Sequence, residues 1–88
     1  IGPQAFFQCS SLNKVTIPSS VTNIGERAFY NCSLLTEVNI NITTPITIDA
    51  NVFEYVSLNS STLKVPSSSV STYENTNVWM DFGTITSL

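Results

Sequence analysis

Apolar and polar positions recur along this chain at a period longer than that of any single helix or strand. Ile1-Gly2, Ala5-Phe6, Cys9-Ser10, Leu12, Val15 and Ile17 return 23 positions later as Ile24-Gly25, Ala28-Phe29, Cys32-Ser33, Leu35, Val38 and Ile40. A period between about 20 and 50 residues marks stacked repeats, because one such unit is too small to bury its own apolar face. Within the first unit, Val15-Thr16-Ile17 alternates and predicts a strand, which Pro18 stops because proline has no N–H for the next rung. The second unit predicts the same strand over Glu37–Ile40. Ala28-Phe29-Tyr30-Asn31-Cys32 is too short for an isolated helix and predicts a helical or 3₁₀ turn held by packing.

The third unit is degenerate but legible. Residues 41–46 form a slightly longer connection, whose extra residue is expected to bulge at the surface. Ile48, Val52-Phe53 and Val56 then match Ile24, Ala28-Phe29 and Cys32 at a spacing of 24. Leu63, Lys64, Val65 and Pro66 repeat Val15, Thr16, Ile17 and Pro18 in kind. The repeats divide as 1–23, 24–47 and 48–66, and 67–88 reads as a C-terminal cap. In that tail Ser67, Ser68 or Ser69 is expected to cap a short helix carrying Val70 and Tyr73. Val78-Trp79-Met80-Asp81-Phe82 gathers large apolar groups beside Gly83, and residues 84–88 alternate like a strand. The fold class is therefore α/β: a solenoid of about three coils, short strands stacked with short helical turns, closed by a cap helix and strand.

Composition narrows the function. At 88 residues the chain is one domain at most, near the size where a single core is marginal. With 42% hydrophobic and only 10% charged residues it can bury a core, and its polar residues are mostly Ser, Thr and Asn. The net charge of −3, with Lys14, Arg27 and Lys64 the only bases, removes the electrostatic basis for gripping nucleic acid or an anionic membrane. No apolar run approaches the roughly 20 residues that span a bilayer, so membrane insertion is not expected in this segment. Beginning at Ile1, at a repeat boundary, the chain reads as a piece of a longer polypeptide.

The motif Ile-Gly-x-x-Ala-Phe-x-x-Cys-Ser-x-Leu-x-x-Val-x-Ile, at 1–17 and again at 24–40, resembles the leucine-rich repeats of the BspA type found in surface proteins of gut and oral bacteria and some parasitic protists. Val65-Pro66, Tyr73, Trp79, Phe82 and Ile85 look like the segment that often follows the last such repeat in bacterial members. The third copy departs from the pattern, with Val56 in place of Cys and no clear Ser-x-Leu. The resemblance implies a curved right-handed solenoid, export to the cell surface, adhesion or other protein binding, and no enzyme.

Cys9 and Cys32 share one position in adjacent coils, about 5 Å apart at strand spacing, so a disulfide is geometrically possible. Val56 at the third position points instead to a buried apolar ladder. With no His and only two Cys, no metal site or other cofactor is expected. Phe6, Phe29 and Phe53 form a column read as core. Trp79 is read as cap packing, with an exposed edge making it a candidate hot spot. The outward strand positions are the candidate protein-binding face: Lys14, Glu37 and Thr62 in one ladder, Thr16, Asn39 and Lys64 in the next. The bland alternative is that they are merely solvated. The acids Glu26, Glu37, Asp49, Glu54, Glu74 and Asp81 are scattered, and abundant Ser without His supplies no nucleophile beside a base, so no catalytic residue is nominated. Asn31-Cys32-Ser33, Asn41-Ile42-Thr43 and Asn59-Ser60-Ser61 match the glycosylation acceptor pattern.

Two readings follow. In the first, the chain is a surface-displayed or secreted binding module whose strand face meets a host or neighbouring protein. In the second, it is the structural end of a longer surface protein whose ligand site lies upstream. An aromatic or apolar cluster on the strand face favours the first, and a uniform Ser/Thr/Asn face the second. In either case the first coil lacks a preceding neighbour, so self-association through that end, or its burial by upstream repeats, is expected.

Overall fold

The computed structural model describes residues 2, 5, 6 and 8–88, so Ile1, the first position of the repeat motif, lies outside the described residues. Four strands, β1 (Lys14–Ile17), β2 (Glu37–Ile40), β3 (Thr62–Val65) and β4 (Thr84–Ser87), make one parallel sheet in the order of the sequence. Parallel neighbours require a crossover of a dozen or more residues, and one repeat supplies it. In β1 to β3 the alternation turns one side chain in two inward: Ile17, Val38, Ile40, Leu63 and Val65 are fully buried. The register offsets stay close to the repeat length, with Val15 on Val38 (23 positions), Val38 on Leu63 (25) and Leu63 on Ile85 (22).

A second ladder joins the turns of successive repeats. Phe6 N–H donates to Ala28 O at 2.7 Å and Gln8 N–H to Tyr30 O at 2.8 Å; one repeat on, Phe29 N–H donates to Val52 O and Asn31 N–H to Glu54 O. These bonds stack Phe6 on Phe29 and Phe29 on Phe53, with ring centroids 5.2 and 5.4 Å apart and planes nearly parallel. Phe29 and Phe53 are buried and Phe6 is half-buried. Burying one such ring stabilises by about 1.5–3 kcal/mol, which makes this column a main source of cohesion between repeats. The residue before the Cys or Val position takes the left-handed conformation each time: φ is 57° at Gln8, 56° at Asn31 and 67° at Tyr55.

Among the described residues the expected helical turn forms only in the third repeat. Ala50–Phe53 is a 3₁₀ turn because Asp49 accepts from the N–H of Asn51 at 3.0 Å and caps it. Gly25 holds the corresponding place in the second repeat and has no side chain to offer, and the segment around Ala28 and Phe29 is a run of hydrogen-bonded turns.

In the tail, a 3₁₀ turn Ser67–Ser69 leads into the one α-helix among the described residues, α1 (Val70–Glu74). The serine-cap expectation is corrected here: Ser69 precedes the helix, but its hydroxyl donates to Thr43 O at 2.8 Å and caps nothing. The connection 41–46, whose extra residue is expected to bulge at the surface, is what the tail grips. Tyr73 Oη donates to Ile42 O at 2.7 Å and Trp79 Nε1 to Ile46 O at 2.8 Å, so three carbonyls of the longer connection are satisfied by the cap. The 3₁₀ turn Trp79–Asp81 is entered through Val78 at φ 72°, ψ −54°, a rare and strained turn conformation for a β-branched residue. At Gly83 the chain passes so close to Asn59 that a Cβ would lie 2.0 Å from its carbonyl oxygen; only glycine lets β4 reach β3.

Candidate functional site

The outward side chains of the sheet form two rows. Lys14, Glu37 and Thr62 are register partners and Thr84 continues them; Thr16, Asn39 and Lys64 form the second row, continued by Thr86. Thr84 and Thr86 were missed as face residues, although the alternation of Thr84-Ile85-Thr86 carried the signal.

Glu37 is the centre of the face. Its Oε2 accepts from Asn39 Nδ2 at 3.0 Å and lies 3.4 Å from Lys14 Nζ and 4.0 Å from Lys64 Nζ. The Asn39 amide holds its carboxyl below the usual range, partial burial opposes that, and the two lysine charges add to the lowering. Such exposed pairs contribute little to stability and chiefly arrange the face. Asn39 is only 9% exposed, because it sits between Glu37 and Lys64, and its Oδ1 is buried without a hydrogen-bond partner. A buried acceptor left unpaired costs about 1–3 kcal/mol.

The other sequence candidates fall elsewhere. Trp79 is fully buried, edge-on to Tyr73 and Phe53 at 5.6 and 5.8 Å, and offers no exposed edge. The hot-spot expectation for it is therefore corrected: the ring is consumed by cap packing, because its N–H finds a partner only inside, at Ile46 O. Cys9 and Cys32 are free thiols; Cys32 is buried and donates to Phe6 O at 3.0 Å, and burial pushes its pKa up. Val56 is half-buried at the third place in that row. No group of three or more potential metal ligands occurs among the described residues, and no helix is long and apolar enough to cross a membrane. A shallow depression of about 380 Å³ lined by Thr47, Ile48, Asn75, Thr76 and Asn77 lies apart from the polar face and holds no titratable side chain.

A parallel sheet built from four-residue strands about one repeat apart, with one side in the core and the other a polar surface, defines a repeat protein. The chain matches the family model described as BspA type leucine rich repeat region (6 copies) over residues 1–81 and belongs to that family. The match runs past Pro66 into the tail. No curated protein and no solved structure matches the chain. Repeats of this kind generally mediate protein–protein interaction, and the family is typically non-enzymatic and surface-associated.

Proposed function

We propose that this chain is a protein-binding, adhesion-type module of a bacterial cell-surface or secreted protein, and that it meets its partner through the outward face of the sheet. In this reading 1–23, 24–47 and 48–66 are coils of a right-handed solenoid, 67–88 caps it, and Lys14, Thr16, Glu37, Asn39, Thr62 and Lys64 are the contact residues. The observation that carries it is the Lys14–Glu37–Lys64 cluster around Asn39, whose buried Oδ1 lacks a donor. A partner that places an acid beside either exposed lysine gains charge complementarity. The edge of β1, paired on one side only, is a second contact, for a preceding repeat or another copy of the chain.

A specific observation also favours the structural reading. The sheet face carries Thr16, Thr62, Thr84 and Thr86 and no aromatic residue among those described, which is the composition of a solvated face. The two readings separate on binding measured against a panel of purified secreted proteins. A Lys14→Glu, Lys64→Glu double variant with unchanged circular dichroism is expected to weaken any binder by about tenfold or more. Binders indifferent to that change, or none in the panel, would favour the structural reading.

A further inference from the structure

Among the described residues the most exposed aromatic ring lies off the sheet, in the turn ladder. Tyr55 is 68% exposed and stands edge-on to Tyr30, centroids 5.4 Å apart and planes at 83°. Its backbone is left-handed at φ 67°, where the equivalent positions carry Gln8 and Asn31. Asparagine tolerates that region readily; a bulky aromatic does not, and this one recovers almost no burial in return. The neighbouring ring already shows what the surface can hold. The Arg27 guanidinium lies 5.9 Å from the Tyr30 centroid, a cation over an aromatic face, while Arg27 N–H donates to Asn51 Oδ1 and so ties this turn to the next. Among the described residues no cation stands over Tyr55. Its chain neighbour Glu54 is exposed, Asp49 is exposed in the same turn, and the protein as a whole is acidic at −3.

We propose that Tyr55, held upright by Tyr30 and flanked by Glu54, is a docking point for a basic side chain of a partner protein, arginine above lysine. A guanidinium lies flat on the ring, with Glu54 as the neighbouring negative charge, a stacking that the compact ammonium of lysine makes less well. The exposed Glu54 and Asp49 outnumber the one nearby base, Arg27, which already stands over Tyr30, so the local charge favours a partner's base over its carboxylate. This surface is separate from the sheet face and stands or falls without it.

The test uses the intact chain and NMR titration with the peptide Gly-Arg-Gly-Arg-Gly, its lysine and glutamate counterparts, and a neutral maltohexaose control. The expected result is saturable shifts at the Tyr55 ring and Glu54, larger for the arginine than for the lysine peptide and fading with salt. Tyr55→Asn suits the left-handed backbone and should keep the fold, yet weaken the arginine peptide about fivefold or more. Glu54→Gln, an exposed change with no packing consequence, should weaken it by a smaller factor and supplies an independent reading. Shifts spread evenly over Glu74, Asp81 and Glu37, or binding unchanged in both variants, would overturn the proposal. Shifts from maltohexaose but not from the arginine peptide would also overturn it and give the surface to a glycan.

Discussion

The two ends of the sheet are built from the same kind of residue and are not buried alike. At the β1 end Phe6, Cys9, Leu12 and Val15 are half-buried, whereas their counterparts one repeat on, Phe29, Cys32, Leu35 and Val38, are at or near zero exposure. At the other end Tyr73, Trp79 and Phe82 close over Phe53, and β4 gives β3 a second neighbour. The motif does not decide whether its residues are core; the neighbouring repeat does. The tail packs aromatic rings against Phe53 and bonds to the carbonyls of the 41–46 connection.

The sharpest way to break this comparison is to truncate one ring at each end. Trp79→Ala removes the buried ring from the cap and leaves Ile46 O without its donor, so it should cost about 3–5 kcal/mol or abolish the fold outright. Phe6→Ala removes a half-buried ring with a neighbour on one side and should cost roughly half as much. Urea unfolding of both variants measures the difference. Equal costs would mean that the β1 end is as tightly closed as the cap, and that the contrast in burial has no energetic content.

Tyr73→Phe sharpens the comparison further, because it keeps the packing and removes only the bond to Ile42 O. The expected loss is about 0.5–1.5 kcal/mol near neutral pH. Burial also pushes the Tyr73 phenol up to about 12, above the ordinary value near 10. A folded-state value above the unfolded one means that the unfolded chain loses its proton first. The contribution is therefore whole below pH 10 and drains away as pH rises toward 12. Tyr73→Phe should show a flatter decline over that window than the parent protein; parallel curves would mean that the ring is not held protonated by the cap.

How much of this was legible beforehand depended on how each feature is encoded. The strands and their register were written in the repeat itself: shifting Val15-Thr16-Ile17 by one period lands on Val38-Asn39-Ile40, and only one pairing keeps both rows facing inward. The column of phenylalanines was legible for the same reason. The grip of Ser69, Tyr73 and Trp79 on the 41–46 connection was not, because each bond joins a side chain to a backbone carbonyl 26 to 33 positions away, and carbonyls leave no mark in a sequence. The candidate face was legible as two rows, but the burial of Asn39 depends on how Glu37 and Lys64 drape over it. The Tyr30 and Tyr55 pair escaped notice because the two residues are 25 apart, out of phase with the repeat.

The smallest effect asks whether the contrast between the ends extends to the polar face. Lys14, on the open-edge strand β1, stands closer to Glu37 than Lys64 does but is more exposed, 59% against 40%. The Glu37 carboxyl lies below its ordinary value, so its contribution is present above the unfolded-state pKa near 4.5 and is lost as pH falls through the lower folded-state value. Because the Asn39 amide is the leading cause, Asn39→Ala should raise the Glu37 titration midpoint most. Lys14→Met should raise it less and Lys64→Met least, each read from the side-chain carboxyl ¹³C shift. The two lysine changes should not move the unfolding midpoint beyond experimental error, since exposed pairs are screened by solvent. A Lys14→Met shift larger than that of Asn39→Ala would make the lysine of β1, and not the buried amide, the group that organises the face; the β1 end would then govern the polar surface as well as the less buried part of the core.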